Sequence, residues 1–269
     1  MSTLSTPSSE VARLGQDSAA SNREAYERDG FLVIRTLFAP FEIALAAMEA
    51  DRLFARSDLI DSNNLRCRWQ TNVRTGECTF ETFDPVIDIG PTQATLAEDP
   101  RLMAVLGGLY GEPACLFKDK LIFKPAGCKG YGLHQDWIAW PGFPLSFLTV
   151  LIPLDRATLA NGCTVVYRGH HHHGCLSKED GQYHELPRDC VDESQAVPLE
   201  LEPGDVAIFG GFTPHYSAPN QTDGPRRQLY LSYNKWSDGG KRRDQHYLEF
   251  HAWLRKRYAE HDRHDVYFE

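Results

Sequence analysis

Apolar and polar positions change places in short runs along most of the chain, and only a few segments carry the 3.6-residue spacing of a helix. Residues 1–21 are rich in Ser, Thr, Ala and Gln with few large apolar side chains, which predicts a disordered N-terminal tail ahead of a single folded domain over 22–269. Asn22 to Asp29 reads as a short helix stopped by Gly30, and Phe31-Leu32-Val33-Ile34 as a strand. Pro40 opens a helix over 40–56 whose expected buried stripe is Phe41, Leu45 and Met48. Another helix is expected over 95–109, ended at Gly107-Gly108. Residues 62–90, with Arg68, Trp69 and Arg74, read as a long polar connection and a candidate lid.

Past Gly111 the runs become rich in Val, Ile, Phe, Leu and Tyr and are punctuated by Gly, Pro, Asn and Asp. Candidate strands fall at 115–124, 131–135, 146–152, 163–167, 197–202, 205–210, 214–218 and 227–234, a set that suits a double-sheet jelly roll. The fold class is therefore mainly β with flanking helices. Tyr247, Phe250, Leu254 and Tyr258 share one face of a final helix over 243–259, expected to lie on the outside of a sheet.

The 269 residues carry 28 Lys plus Arg against 37 Asp plus Glu, a net charge of -9, which leaves no basic footprint for nucleic acid or anionic lipid. No run approaches the ~18 apolar residues of a membrane span, and Met1 to Ser21 lacks an apolar signal core. The seven cysteines are scattered, with no C-x-x-C pair, as expected of reduced thiols in a cytoplasmic protein. A small-molecule substrate is the remaining expectation; the sequence does not fix an oligomeric state.

The chemistry concentrates in two places. His134-Gln135-Asp136 ends a candidate strand, so its two ligand-type side chains leave one face of an extended chain and can close on one ion. A third ligand is available late in the sandwich at His215, just after Pro214. Two His and one carboxylate leave three positions open on an octahedral metal, the arrangement of non-haem Fe(II) oxygenases. On spacing alone, a hydrogen-bonded His or Asp without a metal is the commoner case. Eleven residues beyond His215 lies Arg226, beside Arg227; strand alternation turns only one of them inward, where a guanidinium needs an anionic partner.

Taken together, Asp29-Gly30-Phe31-Leu32-Val33-Ile34, Lys118 to Pro125, His134-Gln135-Asp136, Asn161-Gly162-Cys163 leading to Arg168-Gly169-His170, Pro203-Gly204-Asp205, and His215 through Asn234 resemble the phytanoyl-CoA dioxygenase family of Fe(II)- and 2-oxoglutarate-dependent oxygenases. The resemblance implies a double-stranded β-helix, Fe(II) held by His134, Asp136 and His215, and 2-oxoglutarate and O2 as co-substrates. It implies that Arg226 binds the far carboxylate of 2-oxoglutarate, with Lys120 and Thr149 as further contacts. Asp136 argues against halogenation, because related halogenases carry a small residue at this position. The run His170-His171-His172-His173 departs from the family's pattern and reads as a solvated loop.

For substrate, Trp137 and Trp140 just past the metal motif, with Trp69 and Phe143, suggest apolar walls for a glycosylated natural product, hydroxylated or oxidatively cyclised as in orthosomycin pathways. Lys124, with Lys120, suits instead a small phosphonate or amino acid. A cupin-like metal isomerase or hydrolase and a non-catalytic sugar-binding jelly roll are the alternatives from other classes.

Overall fold

The computed structural model describes residues 8–260. In chain order the elements are α1 (Ser8–Asp29), β1 (Phe31–Ile34), α2 (Pro40–Phe54), β2 (Cys67–Thr71), β3 (Cys78–Phe83), α3 (Pro91–Ala97), α4 (Pro100–Tyr110), β4 (Ala114–Ile122), β5 (Tyr131–His134), β6 (Leu148–Pro153), β7 (Thr164–Tyr167), β8 (Ala196–Pro198), β9 (Val206–Gly210), β10 (His215–Ser217), β11 (Gln228–Lys235) and α5 (Arg243–Glu260). Seven strands form a large sheet in the order β1-β9-β6-β11-β4-β3-β2, and four form a small one, β5-β10-β7-β8. Every paired strand is antiparallel with its neighbour. All eight strands expected after Gly111 are present, and the jelly roll is the observed architecture.

Period-two alternation sorts the large sheet into two faces. Leu148, Val150, Ile152, Ile208, Leu229 and Leu231 join a core with the helices. Leu151, Ala207 and Phe209, one residue out of step, join Val166, Leu199 and Leu201 between the sheets. Because successive strands are rich in apolar residues on both faces, the sheet is covered on both.

Several expectations need correcting. The first helix begins at Ser8, so residues 8–21 are helical where a tail was expected; residues 1–7 lie outside the described part. Ala, Glu and Arg there favour helix, and the helix has a surface to grow along, since it approaches α4 closely enough that a β-carbon at Gly108 would meet Ala19 at 3.4 Å. On α2 the buried stripe is Ile43, Ala46, Ala50 and Leu53, while Phe41, Leu45 and Met48 are 67%, 53% and 67% exposed. Both stripes have helical spacing, and the one with two alanines lets the helix axis come nearer the sheet.

The helix expected at 95–109 is two helices, α3 and α4, divided at Asp99, whose side chain caps the Arg101 N–H, and Pro100; α4 ends one turn later than expected, at Gly111 in the left-handed region with φ 70°. Residues 62–90 are not a structureless lid: β2 and β3 form a hairpin that extends the large sheet beyond β4. Their signal was weak because the apolar side chains are interleaved with Arg68, Gln70, Thr79 and Glu81.

The last helix does bury Tyr247, Phe250 and Leu254. Its place, however, is at an opening in the large sheet. β3 pairs with β4 only at Thr82↔Ile122 and Phe83↔Leu121, leaving the Asp119 stretch of β4 without a strand on that side. The Tyr247 hydroxyl takes the strand's place: it accepts from the Asp119 N–H at 2.9 Å and lies 2.7 Å from the Asp119 carbonyl and 3.0 Å from Asp84 Oδ1, either of which takes its proton.

Candidate metal and co-substrate site

β5 and β10 are adjacent and antiparallel, and their register sets His134 directly opposite His215. The two imidazoles stand 4.2 Å apart between centroids. Each Nδ1 faces a backbone carbonyl, Gly132 O at 2.8 Å for His134 and Thr213 O at 3.0 Å for His215. A carbonyl only accepts, so each Nδ1 carries the proton and each Nε2 keeps its lone pair. Both Nε2 atoms face the same Asp136 oxygen, at 3.8 and 3.7 Å. All three ligand atoms lie within 4.8 Å of one another, and among the described residues this is the one such group of three or more.

Gln135 explains how two ligands two apart are kept on one face. Its side chain points away from them, donating to Gly174 O at 2.8 Å and Phe212 O at 2.7 Å and accepting from the Leu176 N–H at 2.7 Å. Asp136 is turned by Thr149, whose hydroxyl donates to Oδ2 at 2.7 Å and leaves Oδ1 for the histidines. Thr149 therefore sits behind a metal ligand, where the sequence suggested a co-substrate contact.

The electrostatics suit a cation. Burial, then the neighbouring His215, pushes His134 well below the ordinary imidazole range, so the ring is neutral at physiological pH. Burial works to raise Asp136, but His215, Lys120 and His134, with the Thr149 hydroxyl, outweigh it and keep the carboxylate ionised. A neutral His134, a His215 whose Nε2 turns to the same oxygen, and an ionised carboxylate converge on one point and fit a divalent iron.

The triad lines a cavity of about 90 Å³ between the sheets. Along the large sheet, inward-facing rows organise it. Lys118, Ser232 and Thr149 are opposite one another on β4, β11 and β6; Lys120, Tyr230 and Leu151 form the next row, and Ile122 and Gln228 the one after. The cavity thus has two directions away from Asp136. Along the strands it passes Lys120 to the end formed by Ile122, Tyr131, Thr164 and Ser217. Across the strands it reaches Lys118, Asp84 and Arg68.

Arg226 belongs to the first direction. It is 1% exposed, its Nη1 donates to Gln228 Oε1, and its Nε is buried with no hydrogen-bond partner in the protein. The guanidinium is behind the cavity wall, close enough for its charge to act on Glu81, Lys124, Cys128 and Cys163. An orphaned donor on a buried cation is the feature expected where an anionic co-substrate completes the site. Arg227 turns outward to Asp155 and Asp51, at 2.7 and 2.6 Å, as alternation required.

Lys124 is not a substrate contact. Fully buried, its ammonium donates to Gly162 O, Ser217 Oγ and Ala218 O at 2.9, 3.0 and 2.6 Å, and it lies outside the cavity lining. Lys120 and Lys124 were placed on one strand face, but β4 ends at Ile122 and Lys124 has φ 38°, which breaks the alternation. Trp137 packs on Phe212 at 5.0 Å and Trp140 lies 6.0 Å from Trp253, both away from the triad cavity. Trp69 and Phe143 likewise pack within the protein, on Phe80 and on Phe117 and Phe147.

The His170–His173 turn holds no metal group with the triad. It is a short 3-10 turn, and the expectation of a solvated loop holds for only part of it: His170 is buried and its Nε2 accepts from the Asp192 N–H at 2.9 Å, while His171 Nε2 lies 3.0 Å from Glu27 O of α1. No disulfide joins the seven cysteines, in line with the reduced thiols expected.

Sequence reasoning missed Lys118, Ser217, Tyr131, Tyr183 and Asp84 as cavity residues, and named Arg68 only as part of a candidate lid. Lys118 and Ser217 carried a usable signal, each two residues from an assigned site residue and so on the same strand face. Asp84 carried none, and Arg68 was placed only in a polar connection, because the hairpin that brings them was not read as strands.

Comparison with known proteins agrees with this geometry. The family model for phytanoyl-CoA dioxygenase (PhyH) matches residues 26–228. A methylphosphonate hydroxylase of Gimesia maris is 36% identical over 156 residues, 58% of this chain and 57% of that protein. A 2-aminoethylphosphonate dioxygenase of an uncultured bacterium is 33% identical over 181 residues, 65% of this chain and 67% of that protein. The match thus spans only part of these relatives' length. The crystal structure of the epimerase SnoN with Fe3+, alpha ketoglutarate and nogalamycin RO shares the fold, with a TM-score of 0.68 at 22% identity, covering 81% of this chain and 84% of that one. With the family model matched over most of its length, the chain belongs to the phytanoyl-CoA dioxygenase family of Fe(II)- and 2-oxoglutarate-dependent oxygenases.

Proposed function

We propose that the protein is an Fe(II)- and 2-oxoglutarate-dependent dioxygenase that hydroxylates a C–H bond of a small oxyanion, with phosphonates as the best-supported class. The observation that carries the reading is the convergence of His134 Nε2, His215 Nε2 and Asp136 Oδ1 in a cavity whose other walls hold Lys118, Lys120 and Arg68. Iron bound there supplies the chemistry that couples O2 to the conversion of 2-oxoglutarate to succinate and carbon dioxide and to oxidation of the substrate's C–H bond.

The chain's own residues do the positioning. His134 and His215, fixed by Gly132 and Thr213 carbonyls, and Asp136, fixed by Thr149, present three ligand atoms on one side and leave the cavity side open. Arg226 and Lys120 supply positive charge along the strands and would hold the far carboxylate of 2-oxoglutarate. Asp136 occupies the position that a halide needs, which favours oxygen transfer.

Trp137 and Trp140 no longer serve as an argument for a glycosylated natural product, since neither lines the cavity. The two curated relatives above act on phosphonates by name, and the excess of cations at the cavity supports the same class here. No helix among the described residues is long and apolar enough to cross a membrane, and with seven unbridged thiols we infer a cytoplasmic enzyme. The test is aerobic turnover with Fe(II), 2-oxoglutarate and an alkylphosphonate: stoichiometric succinate and hydroxylated phosphonate support the proposal, and absence of any 2-oxoglutarate-dependent product from iron-loaded protein contradicts it.

A further inference from the structure

One wall of the triad cavity comes from neither sheet. Every other lining residue lies on a strand or within two residues of one, whereas Tyr183 stands on the connection between β7 and β8. Residues 62–90 join the large sheet as a hairpin, so this connection is the segment left to cover the cavity. It has no regular structure beyond three short 3-10 turns.

The connection is fastened to the strand that carries the metal ligands. Gln135, between His134 and Asp136, donates to Gly174 O at 2.8 Å and accepts from the Leu176 N–H at 2.7 Å. At the other end, the Leu186 N–H donates to Leu133 O at 2.6 Å. Leu176 and Leu186 pack in one small apolar group with Leu133 and Tyr167. Just beyond, Arg188 lies over the Tyr216 ring at 4.0 Å and donates to the Tyr167 hydroxyl at 2.7 Å. Segment 176–186 therefore leaves β5 and returns to it, the geometry of an Ω-loop.

The tip of this loop is built differently from its base. Ser177-Lys178-Glu179-Asp180-Gly181-Gln182-Tyr183-His184-Glu185 contains a single large apolar side chain, that of Tyr183. Asp180 closes the tip on itself, accepting from the Gln182 N–H at 3.0 Å and from His184 Nε2 at 2.9 Å, with Gly181 at φ 79° making the bend. Lys178, Glu179, Asp180 and Glu185 are exposed. Ser177 Oγ and Gln182 Oε1 are buried with no hydrogen-bond partner among the described residues. The docked tip thus gains the burial of one aromatic ring and leaves two polar atoms unsatisfied, while the base holds two leucines and its hydrogen bonds to β5. Opening the tip costs far less than releasing the base. Tyr183 nevertheless reaches deep: the charges of Asp136 and Asp84 both act on its hydroxyl, and burial above all keeps the phenol protonated.

We propose that residues 177–185 are a flap that opens and closes the cavity, with the Tyr183 ring as its plug and Gln135 as the positioning residue that ties the flap's base to the metal-ligand strand. Closed, the flap separates the metal side of the cavity from water; open, it admits the small molecules that the cavity takes. The proposal rests on the oxygenase reading for what enters, and the motion itself is separable from that reading.

The experiment combines hydrogen–deuterium exchange of the full-length protein, metal-free and anaerobically with Fe(II) and 2-oxoglutarate, with stopped-flow recording of the visible charge-transfer band. In the metal-free parent, the amides of 178–185 are expected to exchange at least ~10-fold faster than those of Leu176 and Leu186. Tyr183→Ala is expected to speed both the formation of the band and its loss on dilution by at least ~10-fold, while half-saturation by 2-oxoglutarate shifts less than ~3-fold, because removing a plug changes passage rather than affinity. Tyr183→Phe keeps the ring and is expected to stay within ~3-fold of the parent rates. Gln135→Leu takes the acceptor from the Leu176 N–H and is expected to raise exchange there to the level of the tip. Equal protection of tip and base in the parent, parent-like band rates in Tyr183→Ala, or a rate change in which only loss quickens and affinity falls to match, overturns the flap. Unchanged exchange at Leu176 in Gln135→Leu overturns the role given to Gln135. A band absent from every sample contradicts the oxygenase reading instead, and the exchange pattern then decides the flap on its own.

Discussion

The two sides of the cavity are built in opposite ways. The metal side is local: His134 and Asp136 are two residues apart, and a single antiparallel register brings His215 to them. Backbone carbonyls and one threonine then orient every ligand. The cationic side is assembled from β2, the end of β3, β4 and α5, and its charges are held by one another. A site fixed by backbone register tolerates change around it and fails when a ligand is lost. A site held by mutual charge depends on each partner, and each of its partners is adjustable. Under the proposed function, the two sides divide metal binding from the choice of substrate.

The largest expected effect is on the metal side. His134→Ala or Asp136→Ala is expected to lower Fe(II) affinity by more than the ~100-fold typical of changes behind the ligands, measured by equilibrium metal binding, while methylphosphonate binding to the metal-free protein changes little. A comparable loss of both would erase the distinction between the two sides.

Next comes the co-substrate direction. Arg226→Ala is expected to weaken 2-oxoglutarate by on the order of 100-fold, read in its concentration dependence, and Arg226→Lys to restore little of it because a point charge does not replace the planar fork. Unaltered 2-oxoglutarate affinity in Arg226→Ala would remove Arg226 from the site.

A smaller effect is expected behind the ligands. Thr149→Val keeps the shape but takes the hydroxyl from Asp136 Oδ2, and Fe(II) affinity is expected to fall about 10-fold. If it falls instead for 2-oxoglutarate alone, Thr149 has the co-substrate role that the sequence suggested.

The smallest effect concerns stability. Burial alone raises Asp84, but Lys118, Arg68 and Lys120 outweigh it and hold it down to about 2. Its folded pKa is below the unfolded value of 3.8, so its contribution is fully present above about pH 4 and is lost as pH falls toward 2. Lys118 gives a slope of the same sign in a different window: burial pushes it down to about 8, a cost at neutral pH that is relieved as pH rises between about 8 and its unfolded value of 10.5. Urea unfolding at stepped pH is expected to show a shallower acid slope for Asp84→Asn than for the parent; an identical slope would mean that the cationic cluster does not hold this carboxylate.

The same contrast explains what could be read in the chain. Strand periods are written in short-range patterns, and all eight late strands followed from them; the spacing of His134, Asp136 and His215 only offered a triad, and the family resemblance selected it. Alternation showed that only one of Arg226 and Arg227 turns inward, and the family resemblance chose Arg226. The α2 face was misread because two stripes had helical spacing and only packing against the sheet chooses the one with Ala46 and Ala50. Lys124 was misread because β4 ends two residues before it. Arg68 was read only as part of a candidate lid and Asp84 was not singled out, since nothing near them in sequence announces a hairpin, and the two meet only once β3 leaves β4 and α5 fills the gap.

The most direct test of the account is anaerobic titration of metal-free protein with Fe(II) and then 2-oxoglutarate, watching the visible metal-to-ligand charge-transfer band in the parent, His134→Ala, Arg226→Ala and Lys118→Met. The account predicts a band in the parent, none in His134→Ala, a band needing far more 2-oxoglutarate in Arg226→Ala, and a parent-like band in Lys118→Met. No band in folded, iron-loaded parent protein would contradict it.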